Sequence, residues 1–317
     1  MKWRLTPFLI SLFLFQLSGT GASAQTDDPI FYFKSPEDTS LIGVKTAGGK
    51  ILIPARFYNI DLKDPSVPIK EAFIELRIAA KDRKVSDSSP VIPVTAIYSR
   101  SGKLLYYAQL YDNGGDYFEE GLRRYVDDNK IGFVNRSGEI CIPATWDFAT
   151  PFNYGYAIAY TGGWKRVADE TGEHWSIAPT SRHSTSYLIN TKGEIVKPVA
   201  KKKKTEDYLF KGKVYPYPFV YTGEEKRIIA SLNEFHVKAL MRFTDHADTA
   251  KIRFEIVERP TTGFPYYIMK SYEEGSNTWS TQLAADAKGR QFFVFHDFTD
   301  HFTMQPLKDW LKKRSGL

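Results

Sequence analysis

The sequence predicts a mainly β protein, with an N-terminal array of β-hairpin repeats followed by a smaller α+β unit. Three observations carry this prediction. Aromatic residues make up 15% of the 317 residues, and flat rings favour pleated, half-buried surfaces. A hydrophobic pattern recurs between about residues 40 and 200. Beyond residue 208 short runs alternate apolar and polar residues, and a helical apolar stripe is clear only near the C-terminus.

The chain opens on Lys2 and Arg4, then an apolar run from Pro7 to Phe15, then Ala22-Ser23-Ala24 before Gln25. This order is that of a cleavable secretory signal over residues 1–24. The run is short of the roughly 20 residues that span a bilayer, and no later stretch is apolar enough to do so. The expected product is exported, periplasmic or extracellular, with no membrane insertion after signal cleavage. Removing Lys2 and Arg4 takes the formal charge from +6 to +4. Much of the remainder lies in Lys201-Lys202-Lys203-Lys204, too narrow a basic feature for a nucleic-acid footprint. The composition, 42% hydrophobic and 25% charged, excludes a wholly disordered chain, a collagen and a polytopic membrane protein.

The repeats are read directly. Ile42 to Ala55 aligns without a gap to Ile131 to Ala144, sharing the first Gly (Gly43, Gly132), the turn Gly (Gly49, Gly138) and the Pro (Pro54, Pro143). Weaker copies surround Gly102 and Gly193, the last with Pro198; the copy at Gly102 has Tyr107 where the Pro would stand. The four turn glycines are separated by 53, 36 and 55 residues, so a unit of about 36 residues recurs with insertions. A short strand runs into Asn135-Arg136-Ser137-Gly138, whose glycine supplies the positive φ of a tight turn. A return strand follows and is expected to stop at Pro143, which has no N–H for a ladder. The tail Phe152-x-x-Gly155-x-Ala157 begins another strand, and Phe118-x-x-Gly121 repeats its start.

The segment from Lys130 to Tyr160 resembles the WG-repeat family of bacterial β-repeat proteins. The match rests on Gly132, Phe133, Val134, Asn135, Gly138, Ile142, Pro143, Trp146, Asp147, Phe152, Gly155 and Ala157. The resemblance extends weakly over residues 40–200. It implies stacked β units that act as interaction scaffolds, and it supplies no catalytic residue. The repeat alignment also places the lone Cys141 beside Leu52, Leu105 and Val196, which predicts a buried, inert thiol.

The resulting organisation is a signal at 1–24, a repeat unit at 25–200 with insertions, a lysine-rich linker at 201–207 and an α+β unit at 208–317. Two insertions stand out. Asp82 to Ser89 is polar, and Gly162 to Ser184 carries Gly162-Gly163-Trp164 and His174-Trp175. Loops on a rigid scaffold gather binding residues, so Trp164 and Trp175 are candidate flat faces for a sugar or peptide; packing on the repeat is their structural alternative. In the second half, 224–233 is readable as helix or strand. Strands are expected at His236–Phe243, Ile252–Val257, Phe264–Tyr272, Thr278–Ala284 and Gln291–Phe295. Asp286-Ala287-Lys288-Gly289 reads as a hairpin turn. A helix is expected over Met304–Lys313, with Leu307, Trp310 and Leu311 on one stripe.

The sharpest polar cluster is His296-Asp297-Phe298-Thr299-Asp300-His301, with His246 in a second group, Asp245-His246-Ala247-Asp248. His and Asp at this density can ligate a divalent metal. They also suit turns, and their spacing is not that of a helix-borne His-Glu-x-x-His site. No nucleophile elbow, phosphate loop or dinucleotide fingerprint is present. The sequence thus favours an exported, cofactor-free binding scaffold for an envelope or extracellular protein, peptide or glycan. A metal-binding protein or metal-dependent hydrolase is the alternative.

Overall fold

In this computed structural model the described residues are 28–83, 85–172, 174–234, 252–273, 279–297 and 302–315. The expected signal, the strand at His236–Phe243, and the candidates His246, Asp300 and His301 lie outside them. Among the described residues no helix is long and apolar enough to cross a membrane.

The first half is built from hairpins. Strands β1 (Ile30–Lys34), β2 (Leu41–Thr46), β3 (Ile51–Tyr58), β4 (Phe73–Arg77), β5 (Pro93–Ser99), β6 (Leu104–Tyr111), β7 (Gly114–Gly115), β8 (Leu122–Asp127), β9 (Lys130–Asn135) and β10 (Ile140–Trp146) form one antiparallel sheet. Its order is β1-β2-β3-β4-β5-β6-β8-β9-β10, with β7 paired to β6. A three-stranded sheet follows, in which β12 (Tyr156–Thr161) lies between β11 (Phe148–Ala149) and β15 (Thr185–Asn190). The hairpin β13 (Trp164–Ala168) and β14 (Trp175–Pro179) is inserted between β12 and β15.

The repeat is visible in its hydrogen bonds. In all four turns the first residue accepts from the glycine N–H three positions on, and donates to the carbonyl four positions on. The pairs are Thr46 with Gly49 and Lys50, Ser99 with Gly102 and Lys103, Asn135 with Gly138 and Glu139, and Asn190 with Gly193 and Glu194. The side chain of that first residue also accepts the N–H of the residue four positions on, at 3.2, 3.2, 3.0 and 3.0 Å. Each glycine has positive φ, which makes this the three-residue loop with a glycine bulge.

The proline does not end the return strand as expected. Both β3 and β10 run through it, and each shifts register there, between Ile53 and Phe57 opposite β2 and between Ile142 and Trp146 opposite β9. A bulge leaves a residue out of the ladder, so a missing N–H costs nothing at that point. The bulge folds over the first glycine of its own unit. A Cβ on Gly43 would meet the Ile53 carbonyl oxygen at 2.4 Å, and one on Gly132 the Ile142 carbonyl oxygen at 2.5 Å. The Gly102 copy has Ala96 and Tyr107 in these two places, and there the two residues pair directly in the ladder. In these two units glycine and proline therefore act as one device.

Cys141 corrects a second expectation: it is exposed. Its repeat counterparts Leu52, Leu105 and Val196 are only half-buried, because they lie on the less covered side of the return strand. Burial and Glu139 push the thiol pKa up, so the sulfur is accessible without being activated.

The lysine-rich segment expected as a linker is folded around a buried carboxylate. Asp207 accepts the N–H groups of Lys203, Lys204 and Tyr217 at 2.6, 3.0 and 2.9 Å. Burial works against its charge, yet these three amides hold its pKa below the usual range. The hairpin β16 (Tyr208–Phe210) and β17 (Lys213–Tyr215) then lays Tyr208 against Tyr154 and Tyr156.

In the second half α1 (Gly223–Glu234) precedes the sheet β18-β19-β20-β21-β22, with strands Ile252–Glu258, Tyr266–Glu273, Trp279–Asp286, Phe292–Asp297 and Phe302–Pro306; α2 (Leu307–Ser315) closes the chain. Segment 224–233 is helical because Thr222 and Glu225 form a capping box. Glu225 N–H donates to Thr222 Oγ1 at 3.2 Å, and Thr222 N–H to Glu225 Oε2 at 2.8 Å. The C-terminal helix starts later than expected, since Met304 to Pro306 pair with β21. Its stripe packs as read: Leu307 is buried and Trp310 and Leu311 lie on the core between both helices and the sheet. The other face of the sheet packs on the repeat, through Ile268, Tyr272 and Phe295 around the buried Tyr154.

Candidate functional site

The two insertions meet at one rim of the repeat. Arg166, on β13, donates its backbone N–H to Ser88 O at 2.7 Å and Nη2 to Asp87 O at 2.5 Å. Between the insertions opens a cleft of about 620 Å³, lined by Ser86, Ser88 and Ser89 from the first, Trp164, Lys165 and Thr180 from the second, and Asn129, Lys130 and Asp147 from the repeat.

Asp147 organises the cleft. Its Oδ1 takes Lys130 Nζ at 2.5 Å and its Oδ2 takes the Gly163 N–H at 2.7 Å. One carboxylate thus ties β9 to the turn that carries Trp164. A side chain on Gly163 would put Cβ 2.5 Å from Thr180 Oγ1, and φ there is +100°, so only glycine fits beside the tryptophan. Trp164 is half-buried. Its Nε1 donates to Thr161 O at 2.9 Å, and Tyr160 meets it edge-on at 4.8 Å between centroids. Burial raises the Tyr160 hydroxyl pKa. From the first insertion Ser89 Oγ donates to Asn129 Oδ1 at 3.1 Å, and Ser86 and Ser88 share a hydrogen bond at 3.1 Å. These serines bond to one another, to an amide and to backbone, not to a general base. The chemistry on offer is a held indole, hydroxyls, an amide and an ion pair, a set that hydrogen-bonds and stacks.

Trp164 and Trp175 are separated. Trp175 pairs across the hairpin with Ala168, at the far end from Trp164, and its ring lies 5.8 Å from Phe148 on the repeat core. Of the proposed metal ligands, His296 is exposed and Asp297 half-buried on adjacent positions of β21, where side chains alternate between faces. Asp297 Oδ2 is taken by Arg136 Nη2 at 2.5 Å. Among the described residues no group of three His, Cys, Asp or Glu could hold a metal ion. The structural positions Gly49, Gly102, Gly138 and Gly193 form the turns, Pro54 and Pro143 the bulges, and Phe152 and Gly155 the repeat tail. Pro198 follows Ile195, which makes an isolated bridge to Ile189.

Sequence reasoning missed the cleft residues Ser88, Asn129 and Lys130, because their closeness depends on long-range packing. Asp147 carried a signal, as part of the Trp146-Asp147 pair in the repeat.

Residues 131–163 match the family model for the WG containing repeat. The chain contains a WG repeat. The match runs from the start of β9 to Gly163, so the cleft's Asp147 and Gly163 belong to the WG repeat itself, while Trp164 follows its last residue. Comparison with curated proteins and with solved structures returns no match.

Proposed function

We propose that the protein is an exported, non-catalytic binding scaffold whose WG repeat and two insertions present a cleft to an envelope partner, and that the partner is a glycan. The observation that carries this reading is the cleft itself: a held Trp164 lines a space of about 620 Å³ together with serine, threonine and asparagine groups. Sugars offer an apolar ring face for the indole and hydroxyls for those polar groups. A peptide or protein chain would use the same donors but gain less from a single indole. The leader pattern at residues 1–24 supports export, and the periplasm or cell surface is where such glycans occur. Co-sedimentation with insoluble peptidoglycan, competed by soluble N-acetylglucosamine oligomers, tests the reading. Retention that is competed supports it; retention equal to that of a Trp164→Ala variant overturns it.

A further inference from the structure

A second pocket lies at the opposite end of the repeat array, between β3 and β4, and its charge is unbalanced. It has a volume of about 520 Å³, and Lys34, Arg77 and Arg83 line it with Ser40, Asn59 and Tyr58; no carboxylate does. Arg77 ends β4, and the ladder sets it opposite Tyr58. Its Nη2 donates to Asn113 O at 2.7 Å, but its Nη1 is buried and meets no acceptor among the described residues. Arg83 donates Nε and Nη2 to one carbonyl, Ile78 O, both at 3.3 Å. Those are the hydrogen bonds of Arg83 among the described residues.

The acid nearest in the strand is already engaged. Glu75, two residues before Arg77 and so on the same face of β4, pairs with the buried Arg123 at 2.7 Å. Neither Arg77 nor Arg83 has a carboxylate within ion-pair distance among the described residues. Burial and the charge of Arg77 both lower the Arg83 pKa. Two guanidiniums thus line one pocket whose lining holds no carboxylate, and one of them carries a buried donor that no described residue meets. Withdrawing such donors from water is unfavourable unless an acceptor meets them, and guanidiniums match phosphate and sulfate oxygens bidentately.

We infer that the pocket between β3 and β4 is an oxyanion site, in which Arg77 and Arg83 hold a phosphate or sulfate group. The lip carries Ile60 and Leu62, 63% and 83% exposed, so a phosphate borne on an apolar body gains contact that the free ion lacks. This site is separate from the Trp164 cleft and does not depend on glycan binding there.

Thermal unfolding of the full chain tests the inference, in sodium phosphate or sodium sulfate against sodium chloride at equal ionic strength. The proposal expects a concentration-dependent rise in Tm with the oxyanions, saturating as a single site does. Arg77→Gln and Arg83→Gln should each weaken the apparent affinity about tenfold or more, while Trp164→Ala leaves it unchanged. Octyl phosphate below its micellar concentration distinguishes the sources: tighter binding than inorganic phosphate assigns a headgroup on an apolar body, and equal binding assigns the free ion. Because Arg83 is half-exposed, its variant reports even where Arg77→Gln fails to fold. Equal Tm values in phosphate, sulfate and chloride, or an oxyanion response that survives both substitutions, overturn the inference.

Discussion

Arg136 and Glu258 form an ion pair of 2.7 Å that locks the WG repeat to the C-terminal sheet. Arg136 lies in the turn of the WG repeat, two residues before Gly138, and Glu258 ends β18. The same guanidinium reaches Asp297 at 2.5 Å and lies over Phe118 and Phe264, at 4.7 and 4.5 Å from the ring centroids. One ring comes from each half. A second bridge runs from Lys270 Nζ on β19 to Glu119 Oε2, at 2.5 Å. The turn that closes a repeat thus also seats the second half of the chain.

Removing one partner of a buried pair strands the other charge. Arg136→Met should therefore lower unfolding stability by about 3–5 kcal/mol. Adding Glu258→Gln to it should recover part of that loss, since it removes one of the two uncompensated carboxylates, the other being Asp297. Urea unfolding followed by fluorescence measures both. A loss under about 1 kcal/mol for the single variant would mean that the seam is solvated.

Glu120 gives the seam a pH signature. It is buried, accepts the Gly155 N–H at 2.7 Å and meets the Tyr272 hydroxyl at 3.4 Å. Burial raises its pKa above the ordinary 4.5, against the pull of Lys270 and of the Gly155 amide. The folded state therefore holds this proton more tightly than the unfolded chain does. Its contribution favours folding below pH 4.5 and is lost as the pH rises through the raised folded value. Glu120→Gln, which keeps an acceptor for Gly155, should be more stable than the parent at neutral pH. The difference should shrink as the pH falls towards 4.5. Tm against pH for both proteins checks this; a gap that widens on acidification contradicts it.

At Asp147 charge and geometry can be parted. Lys130 is 42% exposed, so the ion pair is worth at most about 1 kcal/mol. Asp147→Asn keeps an acceptor for the Gly163 N–H and should cost no more than that. Asp147→Ala strands that amide and should cost about 1–3 kcal/mol. Denaturant midpoints for the two variants separate the contributions, and equal losses would show that the amide bond does not matter.

Cys141 is accessible but held in its thiol form. Native protein should react fully with a thiol reagent such as dithionitrobenzoate, more slowly than a free cysteine at the same pH. Cys141→Ser should change stability by less than about 0.5 kcal/mol, as exposed substitutions do. A thiol that reacts only after denaturation would restore the buried position expected from the repeat.

The repeat was legible because its turn is local chemistry: Asn135 to Gly138 contain the acceptor, the donor and the positive φ. The bulge was half legible. Pro143 was visible, but its link to Gly132 needs the strand folded over that glycine, and the loss of both in the Gly102 copy is the sequence trace of the link. Cys141 was misread because Leu52, Leu105 and Val196 suggest a core, although each lies on a thinly covered side. Four strands of the C-terminal sheet, β18 to β21, were located by their apolar pattern, whereas β22 was read as the start of the helix and the hairpin β16–β17 was not expected. Alternation does not say what covers the polar face, and here Lys270, Glu258 and Glu255 meet partners rather than water. The cleft depends on Arg166 reaching Ser88 across the fold, and no spacing in the chain announces that contact.

Glycan binding at Trp164, as proposed above, is read most directly by fluorescence titration of the parent, Trp164→Ala and Trp175→Phe with soluble N-acetylglucosamine oligomers. Saturable binding by the parent is expected, with a loss of about tenfold or more for Trp164→Ala and near-parental affinity for Trp175→Phe. Parental affinity in Trp164→Ala, or no binding by the folded parent, would contradict it.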